Sequence, residues 1–214
     1  MHGSVLQTPS SPGYWDLNCV RVETSGVDAE TMEAAADTWL AGFRHRKLYV
    51  NDEATGAAAR PYFEARGWET ARDVMLLRTG PPPAPEREHA IEEVEIAGTR
   101  ALRREWYGPS EAQHVIDAEP YAARRGMRAF LAPGKGFAWL VVGEDAMELD
   151  QLYVTEAARG EGLGQALIAA ALTAGGRDRA WVVADEEGLA KALYERNGFA
   201  AAWRFYGFTR KPAG

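Results

Sequence analysis

LYVTEAARGEGLGQAL, Leu152 to Leu167, joins the end of a β-type run to an amphipathic helix through a glycine-rich turn. Glycines at 160, 162 and 164 let successive backbone N–H groups converge on one point, and the helix behind them adds its positive N-terminal end. Arg159 contributes a forked cation. Together these groups suit a pyrophosphate, whose charge is spread over several oxygens and rewards donors set in an arc. Two rival phosphate motifs fail on counting. A G-x-G-x-x-G fingerprint needs a glycine three residues after Gly162, where Gln165 stands. A P-loop needs Ser or Thr after its lysine, but Lys135 is followed by Gly136, and Ala129 stands where the loop's first glycine belongs. The competing reading is a flexible turn with no ligand.

Outward from that turn, the pattern is mixed α/β. Downstream, Leu163, Leu167, Ile168, Ala171 and Leu172 share one helix face, and Gly175-Gly176 ends the helix. A strand over Ala180 to Ala184, a helix over Gly188 to Arg196 stopped by Asn197-Gly198, and an aromatic strand over Trp203 to Thr209 follow. Tyr194 sits at the edge of the second helix's apolar stripe, where one side can pack and the hydroxyl can reach a cleft; an ordinary half-buried tyrosine is the alternative. Upstream, Met127 to Ala132, Phe137 to Val142 and Met147 to Val154 alternate with turn residues and predict a three-stranded antiparallel meander. A strand over Ile91 to Ile96 and helices over Thr99 to Tyr107 and Glu111 to Arg125 precede it.

The clearest break in the chain is TGPPPAPERE, Thr79 to Glu88, whose clustered prolines forbid helix interiors and sheet ladders. It predicts three parts: residues 1–80, a proline-rich linker over 81–88, and a domain over 89–214. In the first part, Leu17 to Val22, Lys47 to Val50 and Val74 to Leu77 read as strands. Asp28 and Asp52 open helices between them, the second running to Arg66 and stopped by Gly67, which gives a β-α-β-α-β order.

Strand Leu149 to Val154, the loop Arg159-Gly160-Glu161-Gly162-Leu163-Gly164, and Ala190 to Phe199 resemble, in order, the fourth strand, the R/Q-x-x-G-x-G/A signature and the A-x-x-L-Y-x-x-x-G-F helix of the GNAT superfamily of acyl-CoA-dependent N-acetyltransferases. The resemblance covers residues 88–214 and implies a central mixed, twisted sheet flanked by helices. Carried over by position, Leu152, Tyr153 and Val154 would meet the acyl carbonyl and pantetheine arm of acetyl-CoA. Arg159, Gly160, Glu161, Gly162, Leu163, Gly164 and Gln165 would cradle its pyrophosphate, and Tyr194 would protonate the departing thiolate. A free thiol titrates near 8.5 and tyrosine near 10, so that transfer is modestly uphill and feasible once positioned. Two positions depart from the pattern: Glu187 stands where relatives often carry Asn, and Glu156 where many carry Pro.

YFEARGW, Tyr62 to Trp68, echoes LYERNGF, Leu193 to Phe199, at a constant offset of 131 positions. At that offset Phe63 faces Tyr194, and Asp28, Ala29, Thr31 and Glu33 face Arg159, Gly160, Gly162 and Gly164. Carboxylates thus replace the anion site, and the first segment reads as a degenerate partial GNAT repeat that has lost catalysis and packs on the catalytic domain or shapes its acceptor cleft.

An amine acceptor is protonated near neutral pH and must lose a proton before attack, so a carboxylate is expected in reach. Glu148 and Asp150, two residues apart on one face of the predicted strand, are the candidates; a solvated strand face is the alternative. Trp106 and Tyr107, beside Gly108, are expected at the acceptor wall, although Trp106 also reads as core. Cys19 and His114 fall in different segments with nothing to orient them as a nucleophile and base.

Composition agrees with such an enzyme. Thirty-one acidic against 24 basic residues give a formal charge of −7, which argues against nucleic acid as the main partner. No paired metal-ligand spacing, apolar leader or long apolar run occurs, so no metal, no membrane span and a reducing, cytoplasmic location are expected. The expected activity is transfer of the acetyl group of acetyl-CoA to the primary amine of a small molecule. A non-catalytic CoA-binding or interaction module, a protein-lysine or N-terminal acetyltransferase, and a homodimer are left open.

Overall fold

The computed structural model describes residues 2–212. Strands β1 (Gly3–Leu6) and β2 (Cys19–Val22) precede helix α1 (Ala29–Trp39), whose N-cap Asp28 accepts the Thr31 N–H at 2.8 Å. Strand β3 (Arg46–Val50) leads to α2 (Glu53–Glu64), started in the same way by Asp52, which accepts the Thr55 N–H at 2.9 Å. Each cap satisfies one of the donors that a helix start leaves open. Strand β4 (Glu69–Thr79) follows, and after the proline-rich stretch come β5 (Glu92–Val94), α3 (Arg100–Tyr107) and α4 (Ala112–Arg124). The meander is β6 (Arg128–Ala132), β7 (Gly136–Val142) and β8 (Met147–Val154). Helix α5 (Leu163–Gly175), β9 (Arg179–Asp185), α6 (Leu189–Arg196) and β10 (Ala200–Arg210) complete the order. The strand expected over Ile91 to Ile96 keeps only three residues, because Ile96–Thr99 closes into a 3-10 turn. Strand β1 had no signal of its own and exists by pairing with β2.

The chain forms two compact units that are not contiguous in sequence. One comprises the chain up to Val74, Asp185–Glu187 and the segment from Trp203; the other comprises Met75–Ala184 and Gly188–Ala202. The proline-rich stretch, expected as a boundary, lies inside the second unit, and the C-terminal strand enters the first. That assignment follows from pairing: β10 runs antiparallel to β3 from Tyr206↔Val50 to Arg210↔Arg46, a register no local pattern announces.

In the first unit β1 and β2 are antiparallel, β2 and β3 parallel, and β3 and β10 antiparallel. Apolar residues of these strands, among them Val20, Leu48 and Phe208, pack with Met32 and Ala36 of α1 and Phe63 of α2. Phe63 stacks on Phe208 at 4.4 Å and has no exposed surface, and its burial is worth about 1.5–3 kcal/mol. In the second unit the strand order is β9-β8-β7-β6-β5, parallel between β8 and β9 and antiparallel elsewhere. Helix α5 covers one face beside Leu140 and Met147. On the other face Trp139 donates from Nε1 to Thr99 Oγ1 at 3.1 Å, just before α3. Strand pairing is mixed in each unit and helices accompany the strands, so the architecture is mixed α+β.

The local geometry bears on the repeat. Trp68 N–H donates to Phe63 O at 3.1 Å, and 131 positions later Phe199 N–H donates to Tyr194 O at 3.1 Å. Gly67 and Gly198 between them have φ of 73° and 83°. The two ring pairs are both edge-to-face, at 4.8 Å for Phe63–Trp68 and 5.7 Å for Tyr194–Phe199. Strands β4 and β10, each 11 residues, start and end at the same offset.

Candidate active site

The turn between β8 and α5 is open on its amide side. Gly160 and Gly162 adopt left-handed φ of 81° and 84°, a region that glycine enters without steric cost. Gly162 is the N-cap of α5 and offers no side-chain acceptor to the helix start. The intrahelical ladder begins with Ala166 N–H to Gly162 O at 3.1 Å, so the N–H groups of Leu163, Gly164 and Gln165 precede it and remain available. They border a cleft of about 420 Å³, which Val154, Arg159, Leu193 and Asn197 also line. Gly164 serves a second purpose: a Cβ there would lie 2.9 Å from Leu193 Cδ2, so a larger residue would make the end of that leucine shift. Gln165 uses its side chain elsewhere, donating to Ala84 O at 3.2 Å and accepting from Glu86 N–H at 3.4 Å. Arg159 Nε donates to Val154 O at 3.3 Å. A larger hollow of about 950 Å³ lies between the proline-rich stretch and α5, but alanines of the helix face it, not the amides of the first turn.

Strand β8 separates from β9 beside this turn. Among the described residues the two pair only at Met147↔Ala180 and Glu148↔Trp181, and the edge of β8 from Leu149 to Val154 that faces away from β7 has no partner strand there. On its other edge the pairing shifts: Leu140 faces Leu149 but Trp139 faces Gln151, which leaves Asp150 as the extra residue of a β-bulge. This corrects the simple alternation expected for the two carboxylates. Glu148 opposite Val141 shares its face with Gln151 and Tyr153, and Asp150 stands at the break.

Both carboxylates and Tyr194 lie in the second unit, and Tyr194 feels the charge of Asp150. Tyr194 is buried on α6, and its phenol is pushed above the ordinary tyrosine value by burial first and the charge of Asp150 second. It therefore keeps its proton throughout the neutral range. Glu148 pairs with Arg125 Nη2 at 3.3 Å; burial raises its pKa, and Arg125 offsets part of the rise. Arg125 Nη1 also donates to Tyr121 Oη at 2.9 Å, a pair that sequence reading overlooked although a basic residue at the end of a helix is a visible signal.

Residues 121–201, which carry the cup, the bulge and Tyr194, match the family model described as Acetyltransferase (GNAT) domain. This part of the chain is similar to a GNAT acetyltransferase domain. Solved structures agree on the fold. A conserved protein of unknown function from Staphylococcus epidermidis ATCC 12228 is similar over 99% of this chain and 92% of its own, at 14% identity and a TM-score of 0.78. A GCN5-related N-acetyltransferase from Sphaerobacter thermophilus is similar over 86% of this chain and 68% of its own, at 15% identity and a TM-score of 0.60. A tandem GNAT protein from the clavulanic acid biosynthesis pathway is similar over 92% of this chain and 76% of its own, at 14% identity and a TM-score of 0.53. No curated protein matches this chain.

The aromatic pair at the end of α3 stands over β8. Trp106 is 40% exposed, which sets aside its core reading, and it stacks on Tyr153 at 5.6 Å and on Tyr107 at 4.8 Å. Tyr153 donates from its hydroxyl to Glu105 Oε1 at 2.9 Å, so an aromatic wall with a carboxylate at its rim borders the free end of the strand. Leu152, Tyr153, Glu161 and Tyr194 do not line the 420 Å³ cleft; Val154, Arg159, Gly160, Gly162, Leu163, Gly164 and Gln165 do. Glu187 belongs to the other unit, where it pairs with Arg60 at 3.2 Å. Arg103 is fully buried, 4.2 Å over the Trp139 ring and 3.6 Å from Glu119, and was also missed; a charge on the same helix face as Trp106 was the signal.

Among the described residues no group of three or more His, Cys, Asp or Glu side chains could hold a metal ion, and no helix is long and apolar enough to cross a membrane. Cys19 and His114 fall in different units. Burial pushes the Cys19 thiol up to about 11, so it stays a thiol at neutral pH.

Proposed function

We propose that this chain is an acetyltransferase that moves the acetyl group of acetyl-CoA directly to the primary amine of a small molecule. The observation that carries the reading is the uncapped, left-handed start of α5 opening into a cleft beside the unpartnered edge of β8. The amides of residues 160–165 and the charge of Arg159 suit a pyrophosphate, which is neutralised there without an ordered cation. Acetyl-CoA supplies an activated acyl carbonyl and a thiolate leaving group. The free backbone of Leu152, Tyr153 and Val154 offers hydrogen bonds to the acyl end and its arm. Glu148 or Asp150 takes the proton that the acceptor ammonium must lose before its nitrogen bonds to the acyl carbon, and the Tyr194 hydroxyl gives a proton to the sulfur as the carbon–sulfur bond breaks. Glu105 at the rim of the aromatic wall favours a cationic acceptor over an anionic one.

Tyr194 is buried and outside the lining of the cleft, which favours a second reading, a GNAT domain that binds CoA without turnover. Calorimetry with CoA and a thiol-release assay across cationic, neutral and anionic amines test both. CoA uptake with release on small cationic amines supports the transferase. Uptake without release on any amine supports the binding module, and absence of uptake ends both readings.

A further inference from the structure

One buried polar atom of a residue that lines the cleft has no hydrogen-bond partner among the described residues. Asn197, the C-cap of α6, is 4% exposed and lines the cleft beside the anion cup. The residue is held from three sides. Its N–H donates to Tyr194 O at 2.9 Å, its carbonyl accepts from Arg78 Nε at 2.9 Å, and its side-chain Nδ2 donates to Leu193 O at 2.8 Å. The last bond fixes which end of the amide is oxygen. That oxygen, Oδ1, is buried and accepts no hydrogen bond from any described residue. A fixed, buried and unpaired acceptor is costly, and it calls for a partner such as an ordered water or a bound molecule.

The cleft narrows the choice of partner. An amide oxygen only accepts, and so do the oxygens of an ionised pyrophosphate, so the phosphates themselves cannot pair with Asn197. The cleft it borders is lined by the aliphatic Val154, Leu163, Leu189 and Leu193 together with the charged Glu86, Arg159 and Arg196. A lone acceptor beside those aliphatic side chains suits an amide N–H or hydroxyl carried on an otherwise aliphatic chain.

We propose that Asn197 Oδ1 is a binding residue for the acyl carrier and accepts an N–H or O–H from the aliphatic arm of the molecule whose pyrophosphate rests on residues 159–165. The inference depends on the acyl-CoA reading above and adds a residue to that site.

Calorimetry on the full chain with CoA, ADP and inorganic pyrophosphate tests it. Asn197→Leu removes the acceptor and is expected to weaken CoA about three- to tenfold, as loss of one hydrogen bond does, with ADP and pyrophosphate unchanged. Because the leucine also removes the bond to Leu193, Asn197→Asp is the control. Buried there, its carboxyl favours the neutral form, whose O–H can donate to Leu193 while its C=O accepts, so CoA binding should stay within about twofold of the unaltered chain. Undiminished CoA binding by the leucine variant overturns the inference. Equal losses in both variants assign Asn197 to helix capping alone, and an equal loss on ADP assigns its partner to the nucleotide end; either result overturns the arm contact. If the unaltered chain takes up neither CoA nor pyrophosphate, the reading of the cleft itself falls, a result distinct from a leucine variant that binds normally.

Discussion

The helix starts of α1 and α5 solve one electrostatic problem in opposite ways. Both follow a strand, and both leave backbone N–H groups and a positive dipole end in need of an acceptor. In the first unit Asp28 supplies it from within, accepting both the N–H and the hydroxyl of Thr31 at 2.8 Å. In the second unit Gly162 supplies nothing, and the amides open into a cleft. A parallel difference separates the last helices of the two units. Phe63 closes a core with Phe208 and Trp68, whereas Tyr194, 131 positions later in the same local geometry, carries a hydroxyl near Asp150. The same backbone is self-satisfied in one unit and left without a side-chain cap in the other.

That contrast can be broken from either side. Tyr194→Phe gives α6 the residue of α2, and if the hydroxyl is the general acid, turnover should fall by about 10² to 10⁴ with CoA affinity unchanged. Steady-state rates beside calorimetry check it, and undiminished turnover removes Tyr194 from the chemistry. Gly162→Asp gives α5 the cap of α1. A carboxylate in the cup opposes the diphosphate by several kcal/mol, so CoA affinity should drop on the order of 10²-fold; Gly162→Ala, which adds strain at φ 84° without charge, should lose less. Equal losses would trace the effect to strain and not to charge.

Substitutions in the first unit should move stability alone. Burial pushes the Asp73 carboxyl up to about 6, with Lys47 opposing and Asp185 and Asp16 adding to the rise. The unfolded chain ionises this group near the ordinary aspartate value, so stability falls as pH rises from there to about 6. Asp73→Asn should therefore gain at most about 3 kcal/mol at pH 8 and nothing below the ordinary aspartate value, by denaturant melts at the two pH values. The smallest effect is expected from Asp28→Ala, a drop of roughly 2–4 °C in melting temperature with CoA binding unchanged. The Thr31 N–H, then the Thr31 hydroxyl, hold the Asp28 carboxyl below its ordinary value, so this contribution is present above that value and lost as pH falls through the folded one. An effect of Asp28→Ala on CoA affinity would show that the first unit is not a mere packing module.

Local chemistry was legible in the sequence. The caps Asp28 and Asp52, the meander turns, the stop at Asn197-Gly198 and the glycine turn at 159–165 all act within a few residues, and each element they predict is present with ends shifted by a few positions. The 131-position echo was also readable, because a repeated helix stop conserves its local hydrogen bonds. Long-range pairing was not legible. The bulge at Asp150 depends on how β7 and β8 align, and the free edge of β8 depends on where β9 turns away. Membership of β10 in the first unit depends on its pairing with β3, more than 150 positions earlier. Side chains whose partners lie far along the chain were equally hidden: Arg125 against Glu148, Arg103 over Trp139, and the unpaired oxygen of Asn197. The sequence by itself thus determined where the backbone could bind an anion, since conformational freedom and helix polarity are properties of neighbouring residues. Only the tertiary structure decided which carboxylates, rings and amides come together beside that turn, since strand register and burial are settled by packing between residues the sequence keeps apart.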